Sequence, residues 1–251
     1  MSTLASPERS APGRSRSGSE EPAPLSFGRG VRAILARDLL QEWQSREVIP
    51  TMVVFALLVL FIFSLGANPV RGGDITGRYG PAALWITVFF SASIGVHRAF
   101  AKERESDAFS GLLVAPIDRT CIYIGKLISG WIFASVMAAV VFVGFFVFYN
   151  PPVAVLWYLV PLLVFALFDY LAVGVILSAM TSSLRGGEVL LRLLLLPLMI
   201  PVFVVAIHAT TPVLADGALP ADPIFPLGAL VGIGAIYLAA GTFLFVHVVE
   251  E

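Results

Sequence analysis

Apolar positions along the chain gather into six long runs, approximately Val48–Leu65, Ala82–Phe100, Ile122–Tyr149, Val155–Met180, Val189–His208 and Leu227–Val249. A bilayer core needs about 20 apolar residues per helix, and each run is that long or nearly so. The pattern predicts an all-α, polytopic membrane protein with six transmembrane helices. His97 and Arg98 interrupt the inner end of the second run. Pro50 is harmless in a first helical turn, whereas Pro197 and Pro201 remove backbone donors inside the fifth helix and are expected to bend it.

Two further stretches carry helical periodicity without being long enough or apolar enough to span. Between Val31 and Arg46, the side chains Val31, Ile34, Leu35, Leu39 and Trp43 fall on one face, with Arg32, Arg37, Asp38, Glu42 and Arg46 on others. This predicts an amphipathic interfacial helix over 31–46, lying along the membrane with Trp43 at headgroup level. A soluble helix packed on a partner is the alternative. Between the second and third runs, Lys102, Glu103, Arg104, Glu105 and Asp107 precede Ala108, Phe109, Leu112 and Leu113, which share a helical face. Pro116 stops that pattern, and Asp118 is placed to cap the helix that follows. A short surface helix over 103–115, charged on one face and apolar on the other, is built to be gripped by another protein.

Composition agrees with the pattern: 58% of residues are hydrophobic, 13% are charged, and mean hydropathy is +0.90. The net charge of −1 is uninformative as a total, and no nucleic-acid partner is expected. Its distribution is informative. Fourteen of the 16 basic residues fall before the first run, at or between the facing ends of the second and third, or at or between the facing ends of the fourth and fifth; only Arg71 and Arg78 lie on the opposite side. Basic residues mark the cytoplasmic side, so both termini are expected there. Residues 1–30, rich in Ser, Pro, Gly, Arg and Glu, read as a disordered cytoplasmic arm without the apolar core of a secretory signal. Residues 31–251 form the membrane domain.

Candidate chemistry is sparse. His97, His208 and His247 sit near the ends of three different helices, the first and last on the inner side and the second on the outer, so no metal set is expected. For His208, an interfacial histidine satisfied by water stands beside a haem or metal ligand. Asp169 is the acidic residue deep in a span, flanked by Phe168 and Tyr170. It reads either as part of a pathway or as a structural hydrogen-bond acceptor. No Ser, Cys or Thr stands beside a general base, and Gly125-Lys126 lacks the rest of a phosphate loop. No catalytic residue and no ATP hydrolysis are expected of this chain. The single cysteine, Cys121, reads as a small apolar filler. Ser91 with Gly95, and Gly228 with Gly232, have the spacing that lets helices approach closely.

A surface helix, six spans and a charged helix between the second and third resemble the membrane subunits of export-type ABC transporters. Within that group the chain is similar to the CcmB family, haem exporter protein B of the cytochrome c maturation system. The resemblance rests on RDLLQEWQSREVI, on HRAFAKERESDAFSGLLVAPIDRTCIYIGKL and on SSLRGGEVLLRLLLLPLMIPVFVVA, and covers Val31 to the end of the sixth helix. It implies a bacterial inner-membrane subunit working with a separate cytoplasmic ATPase, CcmA, with CcmC and CcmD, and with the haem chaperone CcmE. ATP and Mg would belong to the ATPase and haem to a partner subunit, with no cofactor on this chain. The four tryptophans, Trp43, Trp85, Trp131 and Trp157, are dispersed rather than grouped as in haem-handling relatives.

The resemblance further implies that 103–115 is a coupling helix, with Glu103, Arg104, Glu105, Asp107, Phe109, Leu112, Leu113 and Pro116 as its ATPase-coupling residues. Two copies, or one copy paired with another membrane subunit, are expected in the complex. Two other readings remain: an export permease of the same architecture for a lipid, polysaccharide or hydrophobic drug, and a non-transporting membrane scaffold.

Overall fold

The computed structural model describes residues 27–66, 75–105, 119–151, 156–181, 184 and 186–248. These residues form seven helices and no strand: α1 (Phe27–Ser45), α2 (Val48–Gly66), α3 (Ile75–Glu105), α4 (Arg119–Tyr149), α5 (Leu156–Thr181), α6 (Gly187–Asp216) and α7 (Ile224–Val248). The six from α2 to α7 are long and apolar enough to cross a membrane. Helices suit this setting because each satisfies its own backbone N–H and C=O groups, which lipid cannot do.

The helices overrun the apolar runs. α3 continues through His97 and Arg98 to Glu105. α6 reaches Asp216, two turns beyond the His208 at which the fifth apolar run ends. Thr210 and Thr211 donate their hydroxyls to the carbonyls of Ala206 (2.6 Å) and Ile207 (2.8 Å), removing two donors that would otherwise need water, and Gly217 ends the helix at φ 64°. Pro197, Pro201 and Pro212 lie inside this one unbroken helix. Tyr237 of α7 donates its hydroxyl to the Leu198 carbonyl at 2.5 Å, a tie between the two proline turns.

α3 and α5 form the centre. Buried positions make up 67% of the α3 span and 72% of the α5 span, against 17% for α7, whose Ile224, Phe225, Ile236 and Phe243 point outward. Outward apolar side chains are expected of helices that meet lipid, since burial in protein gains them little there; close backbone approach and polar ties do more. Both are present. A Cβ on Gly174 of α5 would overlap Val96 of α3, and one on Gly95 of α3 would overlap the Met52 thioether of α2. Trp85 donates its indole N–H to Thr210 Oγ1 (2.9 Å), joining α3 to α6, and Trp131 donates to the Val164 carbonyl (3.0 Å), joining α4 to α5. Phe89 stacks with Trp85 and meets Phe203 edge-on at 4.4 Å, so rings fill the space between α3 and α6.

α5 passes into α6 through a turn that only glycine fits. Gly186 has φ 78°, and a Cβ on Gly187 would fall on the Thr181 carbonyl. At that end of the bundle a second apolar cluster joins Ile34 of α1 with Cys121, Tyr123 and Leu127 of α4, Ala172 and Ile176 of α5, and Phe245 of α7.

α1 departs from its expected form. It begins at Phe27 rather than Val31, and its buried stripe is Gly30, Ile34, Asp38 and Glu42. Two carboxylates expected on the polar face thus point into the protein, while Leu40 and Trp43 (77% exposed) point away from it. Tertiary partners, absent from any local pattern, turn these two carboxylates inward, while Ile34 of the expected apolar face stays buried with Val31 packed beside it.

Candidate functional site

The partners of those carboxylates form a polar junction at the α1 end of the bundle. Ile34 packs where Gly125 of α4 has no side chain, and one turn further along α1 this brings Asp38 against the same helix. Lys126 Nζ lies 3.1 Å from Asp38 Oδ1, and Ser129 donates its hydroxyl to Asp38 Oδ2 at 2.8 Å. All three residues are buried. Desolvated charges are tolerated only when paired and hydrogen-bonded, and both oxygens of Asp38 are satisfied.

One turn beyond, Glu42 Oε1 accepts from the backbone N–H groups of Val48 and Ile49, each at 2.9 Å. Those are orphan donors of the first turn of α2, so Glu42 caps α2 from the preceding helix, and its negative charge suits the positive helix end. Arg46, at φ 49°, makes the sharp bend between the two helices and lies over the Trp43 ring at 5.9 Å. Through Asp38 and Glu42, α1 therefore holds both α4 and α2.

The residues assigned from sequence to ATPase coupling flank this junction along the chain. Glu103, Arg104 and Glu105 form the last turn of α3, continuous with the second span, and their side chains lie outside the described residues. Asp107, Phe109, Leu112, Leu113 and Pro116 also lie outside them, as does most of the expected helix over 103–115. The described chain resumes at Arg119, two turns before Lys126.

Asp169 lies where the sequence places it, deep in α5 and 1% exposed. Its Oδ2 has no hydrogen-bond partner among the described residues. Facing it on α7 is Gly234, where a Cβ would fall on the carboxylate, and Tyr237 is an electrostatic neighbour. Two turns along α7, a Cβ on Gly241 would strike the Tyr123 hydroxyl, which donates to the Ala172 carbonyl at 2.8 Å. Glycines thus let α7 lie close over two polar groups of the interior. Gly228 and Gly232, the pair picked out by spacing, face open space instead.

His208 is exposed on α6, and the side chains of His97 and His247 lie outside the described residues. No group of three His, Cys, Asp or Glu residues that could hold a metal occurs among the described residues. Cys121 is buried, its thiol 3.5 Å from the Phe27 carbonyl. Sequence reasoning missed Asp38, Glu42, Lys126 and Ser129. The available signal was the four-residue repeat Gly30, Ile34, Asp38 and Glu42, which puts both carboxylates in line with an apolar residue.

Six spanning helices with a flanking helix pinned to one end by buried carboxylates define a multi-pass α-helical membrane protein. Comparison with known proteins specifies the kind. The chain belongs to the CcmB protein family, whose model matches residues 29–251. It is 28% identical to Heme exporter protein B of Paracoccus denitrificans over 209 residues, covering 83% of this chain and 92% of the relative. Identity to Heme exporter protein B of Rhodobacter capsulatus is 30% over 178 residues, covering 69% and 79%. The protein of that name from Haemophilus influenzae is 25% identical over 173 residues, covering 69% and 77%.

Proposed function

We propose that this chain is the membrane-embedded component of a haem-export complex, driven by a separate ATPase subunit of the CcmA kind. Family membership supplies the cargo, since the relatives are named as haem exporters. The polar junction supplies the mechanical argument. Lys126 and Ser129 stand two to three turns into α4, directly after the segment between α3 and α4, and both bind Asp38. A pull on that segment enters α4 at its first turn. It passes through a buried, charge-assisted contact into α1, and through Glu42 into α2. Packed elements joined in this way move as a unit between discrete arrangements rather than deforming continuously.

In this reading ATP and Mg bind the partner ATPase, and haem is handled by the complex with CcmC and CcmD. The work done is release of the haem-loaded chaperone CcmE. The α1 end of the bundle faces the cytoplasm across the bacterial inner membrane. Two copies of the chain, or one copy beside another membrane subunit, complete the membrane part. The apolar residues Phe109, Leu112 and Leu113 seat in a groove of the ATPase, while Glu103, Arg104, Glu105 and Asp107 set the register and Pro116 ends the helix.

Co-purification tests the assignment. Phe109→Asp and Leu113→Asp are expected to lose the ATPase subunit while the chain still inserts in the membrane at its normal level. Undiminished recovery of the ATPase with both variants would contradict it.

A further inference from the structure

The end of α6, its connection to α7 and the first turn of α7 border an open cleft of about 970 Å³. That matches the larger of small-molecule sites, which span ~300–1,000 Å³. The cleft lies at the end of the bundle away from α1: α7 starts here and runs about 30 Å to Phe245, which packs with Ile34 of α1. Ile200, Phe203, Val204 and Ile207 of α6 and Phe225 of α7 make its walls apolar. Val204 and Phe225 are 62% and 70% exposed, so the cleft is open at its side.

A hydrocarbon core takes about 20 residues of helix. A core entered at Val189, where the spanning stretch of α6 begins, therefore ends close to His208. The cleft straddles that boundary, with its apolar walls at lipid depth and its polar side chains at the water side. Two of those side chains are already occupied. Thr211 donates its hydroxyl to the Ile207 carbonyl (2.8 Å), and Asp222 caps α7 by accepting from the N–H groups of Ile224 (3.1 Å) and Phe225 (3.2 Å). His208 is exposed, lines the cleft and makes no hydrogen bond or ion pair among the described residues.

The lining selects among ligands. Asp216 and Asp222 border the cleft, and no Lys or Arg among the described residues does, so an acidic phospholipid would meet like charge. An acyl chain alone would use the walls and leave the imidazole idle. A flat apolar molecule with a metal centre uses both, since imidazole is the commonest metal ligand among side chains and holds the iron in many haem proteins. We propose that this cleft receives haem as cargo, with His208 ligating the iron from one side and the ring lying against the apolar walls. The proposal rests on the haem-export reading, to which it adds a place on this chain. In that reading the α1 end faces the cytoplasm, so the cleft opens on the far side of the membrane, where exported haem leaves. Without a cation in the cleft, the propionates turn to water through the open side, and one axial ligand holds the haem loosely enough to be passed on.

The test titrates ferric haem into the full-length chain alone in phosphatidylcholine nanodiscs, read by the Soret band against empty nanodiscs. One haem per chain is expected, with the band shifted to the position of imidazole-ligated iron. His208→Ala should weaken binding several-fold and abolish the shift. Val204→Trp, which fills the cleft at an exposed position and leaves the imidazole in place, should weaken binding as well. Metal-free protoporphyrin, with no iron to ligate, should bind the unaltered chain and His208→Ala alike. A shift that survives His208→Ala, affinity unchanged by Val204→Trp, or haem uptake no greater than by empty nanodiscs overturns the proposal. Should His208→Ala fail to fold, Val204→Trp decides. Failure here leaves the haem-export reading standing, because partner subunits handle haem in it, and that reading is tested separately by recovery of the ATPase.

Discussion

Removing the Asp38 carboxylate would take a buried counter-charge from the Lys126 ammonium and leave the Ser129 hydroxyl with the Lys126 carbonyl as its acceptor. Breaking a buried pair from one side costs about 3–5 kcal/mol, whereas replacing both partners with apolar residues of similar size is often neutral. Asp38→Ala should therefore lower the thermal midpoint of the purified protein sharply, and Asp38→Leu with Lys126→Met should recover most of the loss. If the double variant is no better than the single, the pair is not the unit described here. The interior glycines offer a matched contrast. Gly234→Ala would press a methyl group onto the Asp169 carboxylate and should cost about 1–3 kcal/mol, while Gly228→Ala, facing open space, should stay within about 0.5 kcal/mol. Equal effects in thermal unfolding would remove the keyed contact between α5 and α7. Asp169→Asn keeps the shape and removes the charge. If Asp169 lies on a functional path, cytochrome c maturation falls while the complex still assembles; a normal cytochrome yield would make Asp169 scaffold.

Among the elements, the six spans were legible because each is one apolar run of membrane length, a signal that needs no tertiary context. Their limits were not, because helices continue into polar sequence wherever side chains supply the missing bonds. Thr210 and Thr211 do so beyond His208 on α6. The amphipathic α1 was legible as a helix, but not its orientation. Asp38 and Glu42 are charged, so local pattern sets them outward; the partner that turns Asp38 inward is 88 residues away in the chain. Glu42 also illustrates capping across a helix boundary, with a carboxylate from one helix closing the first turn of the next. Glu42→Ala should speed hydrogen exchange at the Val48 and Ile49 amides and destabilise α2 by about 0.5–2 kcal/mol. Unchanged protection at those two amides would mean that water or another group already closes the turn.

At the scale of the molecule, α3 and α5 form the interior, α2, α4, α6 and α7 meet the bilayer, and α1 clasps one end through α4 and α2. Glu103, Arg104 and Glu105, proposed here for coupling, end α3, and the described chain resumes with α4 at Arg119, seven residues before the Lys126 that α1 clasps. The functional account requires this end to face the ATPase in the cytoplasm. The direct measurement is cysteine labelling with a membrane-impermeant maleimide in a Cys121→Ser background, with Arg104→Cys in the last turn of α3 and Asp74→Cys just before α3 in the sequence. The account predicts that Arg104→Cys reacts only in inverted membrane vesicles and Asp74→Cys only in intact cells with a permeabilised outer membrane. Labelling of Arg104→Cys from outside intact cells would put the coupling segment beyond reach of any cytoplasmic ATPase and contradict the account.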